Sequence, residues 1–270
     1  MKETINVAFG VTEAWLRYVY VTICSILANA EEDDSFKFYI MCDTTDINFE
    51  PMVKALNEIK KADYKFLLMD NSEFDGAIHD WLGVSSSYRL KLPSLVDDDK
   101  ILYLDADTIV LDDIKKLYSY DVSDYYLAAI EDKLSTKMRK RVNLKDGETF
   151  INGGVQLMNL KRFREDNLEE KIFVKLRESK FYTDQDVIND ICRGKILSLP
   201  LVFNLMAMEE DNKEVYANRR EEYENALENA IILHYTNKPW SGMVKHGEFW
   251  FMYADLLTQL LTATSGIKIE

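Results

Sequence analysis

The chain has 270 residues, 47% of them hydrophobic and 30% charged, with four prolines and ten glycines. That composition excludes a disordered, collagen-like or linker-rich chain and predicts a packed core. Lys plus Arg total 33 against 47 for Asp plus Glu, a formal net charge of −14, which argues against a broad electrostatic footprint on nucleic acid or an anionic membrane.

The predicted elements alternate between strand and helix. Ile5 to Phe9 reads as a strand and Glu13 to Ala28 as a helix, followed by the acidic turn Glu31 to Asp34. Phe36 to Met41 is a second strand. Pro51 to Lys61 is a helix whose proline suits the first turn. Tyr64 to Met69 is a third strand, Tyr88 to Leu95 a helix and Lys100 to Leu104 a fourth strand. This rhythm predicts an α/β fold with a largely parallel sheet covered on both faces. Further on, Tyr125 to Ile130 and Val155 to Asn159 read as strands, Leu168 to Arg177 and Gln185 to Cys192 as helices, and Ile231 to Tyr235 as a short apolar run. A strongly apolar helix, Glu248 to Thr262 at its most regular and about 246–263 in full, closes the chain. No linker interrupts this order, so a single domain spanning 1–270 is expected, with the last helix docked on it.

Location follows from what the pattern lacks. Cys24, Cys42 and Cys192 form no Cys-x-x-Cys pair. They read as small, reduced core residues of a cytoplasmic protein rather than a zinc or dithiol site. Met1-Lys2-Glu3-Thr4 leads into a strand and carries no signal-peptide pattern. The apolar stretch Ala14 to Ala30 contains Arg17 and Asn29 and is too short for a membrane span.

The clearest chemical feature is Ile101-Leu102-Tyr103-Leu104-Asp105-Ala106-Asp107, an apolar strand ending in two carboxylates. If the backbone stays extended, residues i and i+2 share a side and can share a divalent cation. Hard oxygen ligands suit magnesium or manganese. The competing reading is a polar turn that merely leaves the strand, helped by Asp112 and Asp113. Asn152-Gly153-Gly154 lets backbone approach a ligand closely or makes an ordinary turn. Thr183-Asp184-Gln185-Asp186 opens a helix with Thr183 as its cap. His234-Tyr235-Thr236-Asn237-Lys238 follows an apolar strand, where the histidine is either structural or half of a metal and phosphate pair.

In this order, the segments resemble glycosyltransferase family 8, the glycogenin-like and bacterial lipopolysaccharide galactosyl- and glucosyltransferase-like enzymes. The resemblance runs through Val7-Ala8-Phe9, Ser87-Tyr88-Arg89-Leu90-Lys91-Leu92, Leu102 to Asp107, Asn152-Gly153-Gly154-Val155 with Met158-Asn159-Leu160, Asp184-Gln185-Asp186, His234-Tyr235 and Lys238-Pro239-Trp240. It covers nearly the whole chain.

The resemblance implies a GT-A type, Rossmann-like nucleotide-sugar-binding fold. It implies a retaining, metal-dependent transferase using a UDP-sugar, with Mn2+ usual and Mg2+ possible. Asp105, Asp107 and His234 would hold the metal, and Lys238 would contact the diphosphate. Arg89, Asn152, Gly153, Asp184 and Gln185 would surround the donor sugar, with Asp184 and Gln185 nearest the chemistry. Ala8, Phe9, Thr12 and Ala106 would line the nucleotide. The implied reaction moves glucose or galactose to a glycan, glycolipid or glycoprotein acceptor. The implied setting is cytoplasmic, without nucleic acid or a transmembrane segment, and peripheral membrane contact remains open to it.

Two departures stand out. Thr12 lies where the family often carries an acidic residue that contacts the base. Lys238 follows His234 by four positions with no glycine between, where the family commonly has six and a glycine. The chain also ends in Gly266-Ile267-Lys268-Ile269-Glu270, without the basic tail of some relatives.

Two other functions compete. Asp105-Ala106-Asp107-Thr108 also resembles the nucleophile motif of Mg2+-dependent, haloacid-dehalogenase-like phosphatases, although about a hundred residues precede it here. A non-catalytic nucleotide-sugar-binding protein would keep the ligands and lose the reaction. Elsewhere, Asp97-Asp98-Asp99 reads as a solvated turn, Trp250, Phe251 and Tyr253 as core packing, and His79 and His246 as histidines without a visible partner.

Overall fold

The computed structural model describes residues 3–78, 83–132, 136–145, 147–179, 182–206, 216, 219–241 and 244–266. Met1-Lys2, His79 and the 267–270 tail lie outside the described residues. The strands are β1 (Thr4–Val11), β2 (Ser35–Cys42), β3 (Asp63–Leu68), β4 (Lys100–Leu104), β5 (Thr108–Val110), β6 (Leu127–Ala129), β7 (Val155–Asn159), β8 (Ile196–Ser198), β9 (Leu205–Met206) and β10 (Ile232–His234). The helices are α1 (Leu16–Ala28), α2 (Glu50–Ile59), α3 (Leu92–Leu95), α4 (Lys115–Tyr118), α5 (Thr136–Arg141), α6 (Leu160–Glu165), α7 (Leu168–Glu178), α8 (Asp184–Ile191), α9 (Arg220–Asn229) and α10 (Gly247–Ser265).

Strand alternation builds two cores, one on each face of the main sheet. Ile5, Val7, Phe9 and Val11 of β1, Phe38 and Ile40 of β2, and Leu102 and Leu104 of β4 face α1 and α10. Ala8, Tyr39, Met41, Ile101 and Tyr103 face the other way, toward Tyr88, Leu90, Val187 and Ile188. Successive side chains point to opposite faces, so strands buried on both sides read as continuous apolar runs.

The main sheet runs β3-β2-β1-β4-β7-β6-β8. All its pairs are parallel except those of β7, which lies antiparallel between β4 and β6. The expected mostly parallel α/β sheet is therefore present, with one reversed strand. A second sheet, β5-β10-β9, pairs β10 antiparallel to β5 and parallel to β9. Because β4 belongs to the first sheet and β5 to the second, Asp105-Ala106-Asp107 is the link between them.

Some boundaries differ from the sequence reading. The helix expected over Tyr88 to Leu95 is a 3-10 run, Val84–Lys91, followed by the single turn α3. Serine hydroxyls that bond locally, as Ser86 Oγ does to the Gly83 carbonyl at 3.4 Å, compete with regular helix. The strand read from Tyr125 is only Leu127–Ala129, because the Tyr125 N–H turns back to the Val122 carbonyl. Phe251 is not core packing: it is 47% exposed, while Trp250 and Tyr253 on the same helix are buried. The Asp97-Asp98-Asp99 turn is not wholly solvated, since Asp98 takes hydrogen bonds from Lys37 and the Tyr39 hydroxyl. The three cysteines are buried and free.

Candidate active site

Asp105 and Asp107 come together through a turn rather than through extended backbone. The chain bends at Ala106-Asp107 between β4 and β5. Buried hydrogen bonds hold the bend: Asp105 N–H to the Gly154 carbonyl at 2.8 Å, Tyr235 N–H to the Asp107 carbonyl at 2.8 Å, and Thr22 Oγ1 to the Thr108 carbonyl at 2.8 Å. The expected convergence holds, but its geometric cause differs.

His234 ends β10 and sits opposite Thr108 in the antiparallel ladder. Its Nε2 lies 3.3 Å from Asp107 Oδ1 and 3.8 Å from Asp105 Oδ2. One ligand atom from each of Asp105, Asp107 and His234 falls within 4.8 Å of the others. Burial alone would lower the His234 pKa, but the adjacent Asp107 and Asp105 carboxylates outweigh it and hold it above its ordinary value. Burial alone would raise the Asp107 carboxyl; His234 and Lys238 hold it down at about 2.

A divalent cation fits this set on the chemistry of its donors: two carboxylates and an imidazole suit magnesium or manganese. Two further observations agree. The Lys238 ammonium already pairs with Asp107, a positive charge among these carboxylates. The other imidazole nitrogen, Nδ1, lies 3.1 Å from Asn204 Oδ1. Asn204 Nδ2 in turn donates to Asn152 Oδ1 at 3.0 Å, and Asn152 Oδ1 also accepts the Gly154 N–H at 2.9 Å. That polarity fixes Asn204 Oδ1 as an acceptor, so Nδ1 keeps a proton in every state and Nε2 is the nitrogen that loses its proton when the ring is neutral, as a metal ligand must be. Gly154 is the residue the cluster allows: a Cβ there would strike the His234 ring and come 2.8 Å from Asp105 Oδ2.

A second group adjoins the first. Arg89, buried at the end of the 3-10 run, donates Nε to Asp184 Oδ2 at 2.8 Å and pairs with the same carboxylate through Nη2. Its Nη1 reaches the Gly153 carbonyl at 2.6 Å and Asp105 Oδ1 at 3.4 Å. Burial works against the guanidinium charge, and Asp184, Tyr103 and Asp105 more than restore it. Tyr103 donates its hydroxyl to Asp105 Oδ1 at 2.9 Å. Gln185 Oε1 accepts the Gly153 N–H at 2.8 Å. The N-terminus of α8 is held by the expected cap, with Thr183 and Asp186 forming a reciprocal capping box. Asn189 stitches α8 to Ile151 through the Ile151 N–H and carbonyl.

Asp105, Asp107, Arg89, Asn152, Gly153, Asp184, Gln185, His234 and Lys238 are thus brought into one connected network. Ala106 is buried within its bend, its carbonyl 3.3 Å from Thr22 Oγ1. Ala8 and Phe9 are fully buried on opposite faces of β1, with the Phe9 ring in the α1 core. Thr12 starts the next turn, beside Asp43. The sequence reading missed Asn204, Tyr103 and Asn189. Asn204 sits thirty positions before His234, and nothing in its spacing marks it. Tyr103 read only as an apolar strand residue.

The mostly parallel sheet, with polar groups gathered beyond the carboxyl ends of its strands, places the chain among α/β proteins that bind their ligands at that edge. Residues 6–243 match the family described as glycosyl transferase family 8, and the chain belongs to it. It is 25% identical to general stress protein A of Bacillus subtilis over 90% of each chain. It is 27% identical to a lipopolysaccharide 1,2-glucosyltransferase of Escherichia coli, over 88% of this chain and 74% of that one. The crystal structure of galactosyltransferase LgtC, solved with donor and acceptor sugar analogs, superposes with a TM-score of 0.77 at 24% identity over 97% of both chains. That likeness shows the shared fold, the GT-A type. Among the described residues, no helix is long and apolar enough to cross a membrane.

Proposed function

We propose that the chain transfers a hexose from a UDP-sugar, with retention of configuration, to a carbohydrate-containing acceptor. The reading is carried by the convergence of Asp105, Asp107 and His234 within 4.8 Å, beside a glycine that leaves them room. A divalent cation, Mn2+ first and Mg2+ second, would be held by these three and would supply charge stabilisation to the departing diphosphate.

The chain's own groups do the rest. Lys238, which pairs with Asp107, would exchange that carboxylate for a phosphate oxygen of the donor. Arg89 fixes Asp184, and Gly153 fixes Gln185, so both side chains meet a sugar in set orientations. A neutral amide is a weak nucleophile, and the Gln185 oxygen already accepts one hydrogen bond. We therefore favour front-face displacement. The acceptor oxygen bonds to the anomeric carbon on the side the UDP oxygen leaves, and the acceptor proton passes to that leaving oxygen.

Glucose and galactose lead as donors because similar proteins are a glucosyltransferase and a galactosyltransferase by name. A bacterial surface glycan, glycolipid or glycoprotein is the acceptor class, and the setting is cytoplasmic, with peripheral membrane contact compatible with it. Family membership sets the phosphatase reading aside. The domain reading is a single unit closed by α10, which packs on α1 and α2.

The test is UDP release from UDP-glucose, UDP-galactose, UDP-N-acetylglucosamine and UDP-glucuronate, each with Mn2+ and with EDTA. EDTA-sensitive release from one donor supports the reading and names the sugar. Manganese-dependent UDP binding without release or transfer from any donor, even with glycan acceptors supplied, would favour the binding-protein alternative.

A further inference from the structure

Beyond the C-terminal ends of β1 and β2 lies an open cleft of about 670 Å3, lined by Thr12, Glu13, Ala14, Arg17 and Asp43. In the β1–β2 register Val11 pairs with Cys42, so Thr12 and Asp43 leave the sheet side by side. The Glu13 N–H donates to Asp43 Oδ1 at 3.0 Å, and Cys42 Sγ reaches the same oxygen at 3.4 Å. These contacts clamp one carboxylate oxygen. Among the described residues, Asp43 Oδ2 accepts no hydrogen bond.

The cleft adjoins the metal-ligand cluster. Trp15 continues the turn that begins at Glu13, and its ring lies 5.5 Å from the ammonium of Lys238, which pairs with Asp107. Neighbouring strands are ~4.8 Å apart, so the ends of β4 and β2, with β1 between them, are separated by ~10 Å. A nucleoside diphosphate spans such a distance between its diphosphate and its base.

We propose that Asp43 is the base-reading residue of this site and selects uracil. The inference rests on the nucleotide-sugar reading above and adds the residue that sets base specificity. Uracil presents an N3–H donor, which the free Oδ2 can accept. Cytosine presents a bare N3 lone pair at the same position, which a carboxylate oxygen repels. Thr12 brings a hydroxyl but no charge, so the fixed acceptor comes from the neighbouring strand.

The clamp gives Asp43→Asn a directional outcome. The asparagine oxygen must still take the Glu13 N–H, which turns the amide NH2 toward the base. An NH2 donates to cytosine N3 and opposes uracil N3–H. The experiment titrates UDP and CDP, with Mn2+ present, into wild type, D43N and D43A by calorimetry, with circular dichroism to verify folding. Wild type is expected to prefer UDP by ~10–100-fold. D43N is expected to lose that preference or reverse it, and D43A to weaken UDP more than CDP.

An unchanged UDP-to-CDP ratio in D43N would overturn the inference. So would equal loss of both nucleotides, the mark of a merely structural Asp43. If wild type binds neither nucleotide with Mn2+, the nucleotide-sugar reading itself fails, and the base assignment falls with it.

Discussion

Asn204 shows what a single buried amide does here. It touches no ligand-facing atom of the carboxylates, yet its contact at 3.1 Å sets which nitrogen of His234 is freed when the ring is neutral. Outer partners of metal-ligating histidines typically contribute 10–100-fold in affinity. Asn204→Ala is therefore expected to weaken Mn2+ binding by ~10-fold or more, read by manganese EPR titration, with the circular dichroism spectrum unchanged. Wild-type affinity in that variant would contradict the tautomer assignment. Lys238 acts in the opposite sense in the absence of nucleotide. Its ammonium occupies Asp107, so Lys238→Met is expected to tighten Mn2+ binding several-fold while weakening UDP binding to the metal-loaded protein. Looser Mn2+ binding would show that the lysine supports the cluster instead of competing for it. The two carboxylates and the histidine were legible in the sequence because their types and order carry the chemistry. Asn204 was not, because an asparagine's partner is set by tertiary packing alone.

At the scale of elements, the capped start of α8 was legible and the backbone around Arg89 was not. Thr183 with Asp186 three positions on is a local signal, and the capping box forms as read. Residues 84–91 carry three serines in a row ahead of Pro93, so local hydroxyl contacts and a missing N–H compete with helix periodicity. The result is a 3-10 run that delivers Arg89 to Asp184. Both partners are buried, so deleting Asp184 leaves Arg89 with only the longer ion pair to Asp105 at 3.4 Å. Asp184→Ala is expected to destabilise the protein by ~3–5 kcal/mol, measured by urea unfolding. Asp184→Asn, which retains an acceptor for Arg89, is expected to lose less. Equal losses below ~1 kcal/mol would mean that the pair behaves like an exposed one. The strands β5, β8 and β9 were missed for a different reason: two or three residues are too few to display a period.

For the whole molecule, the alternation of apolar strands with helices was enough to predict a mostly parallel sheet. It did not reveal that β7 runs backwards, because a strand buried on both faces looks the same in either direction. Nor did it reveal the second sheet. That sheet builds the candidate site: β5 and β10 bring Asp107 and His234 together across 127 positions of sequence. The net charge of −14 makes the same demand at larger scale, since an anionic ligand approaching an acidic protein needs a local cation to receive it.

That demand defines the decisive measurement: UDP affinity with and without Mn2+ in wild type and in Asp107→Ala. The account predicts tight binding only for wild type with Mn2+. Removing the metal or Asp107 should each weaken UDP by at least ~100-fold, ~2.7 kcal/mol, without changing the fold. UDP binding that ignores both the metal and Asp107 would contradict the central claim that Asp105, Asp107 and His234 form one cation site for a nucleotide diphosphate.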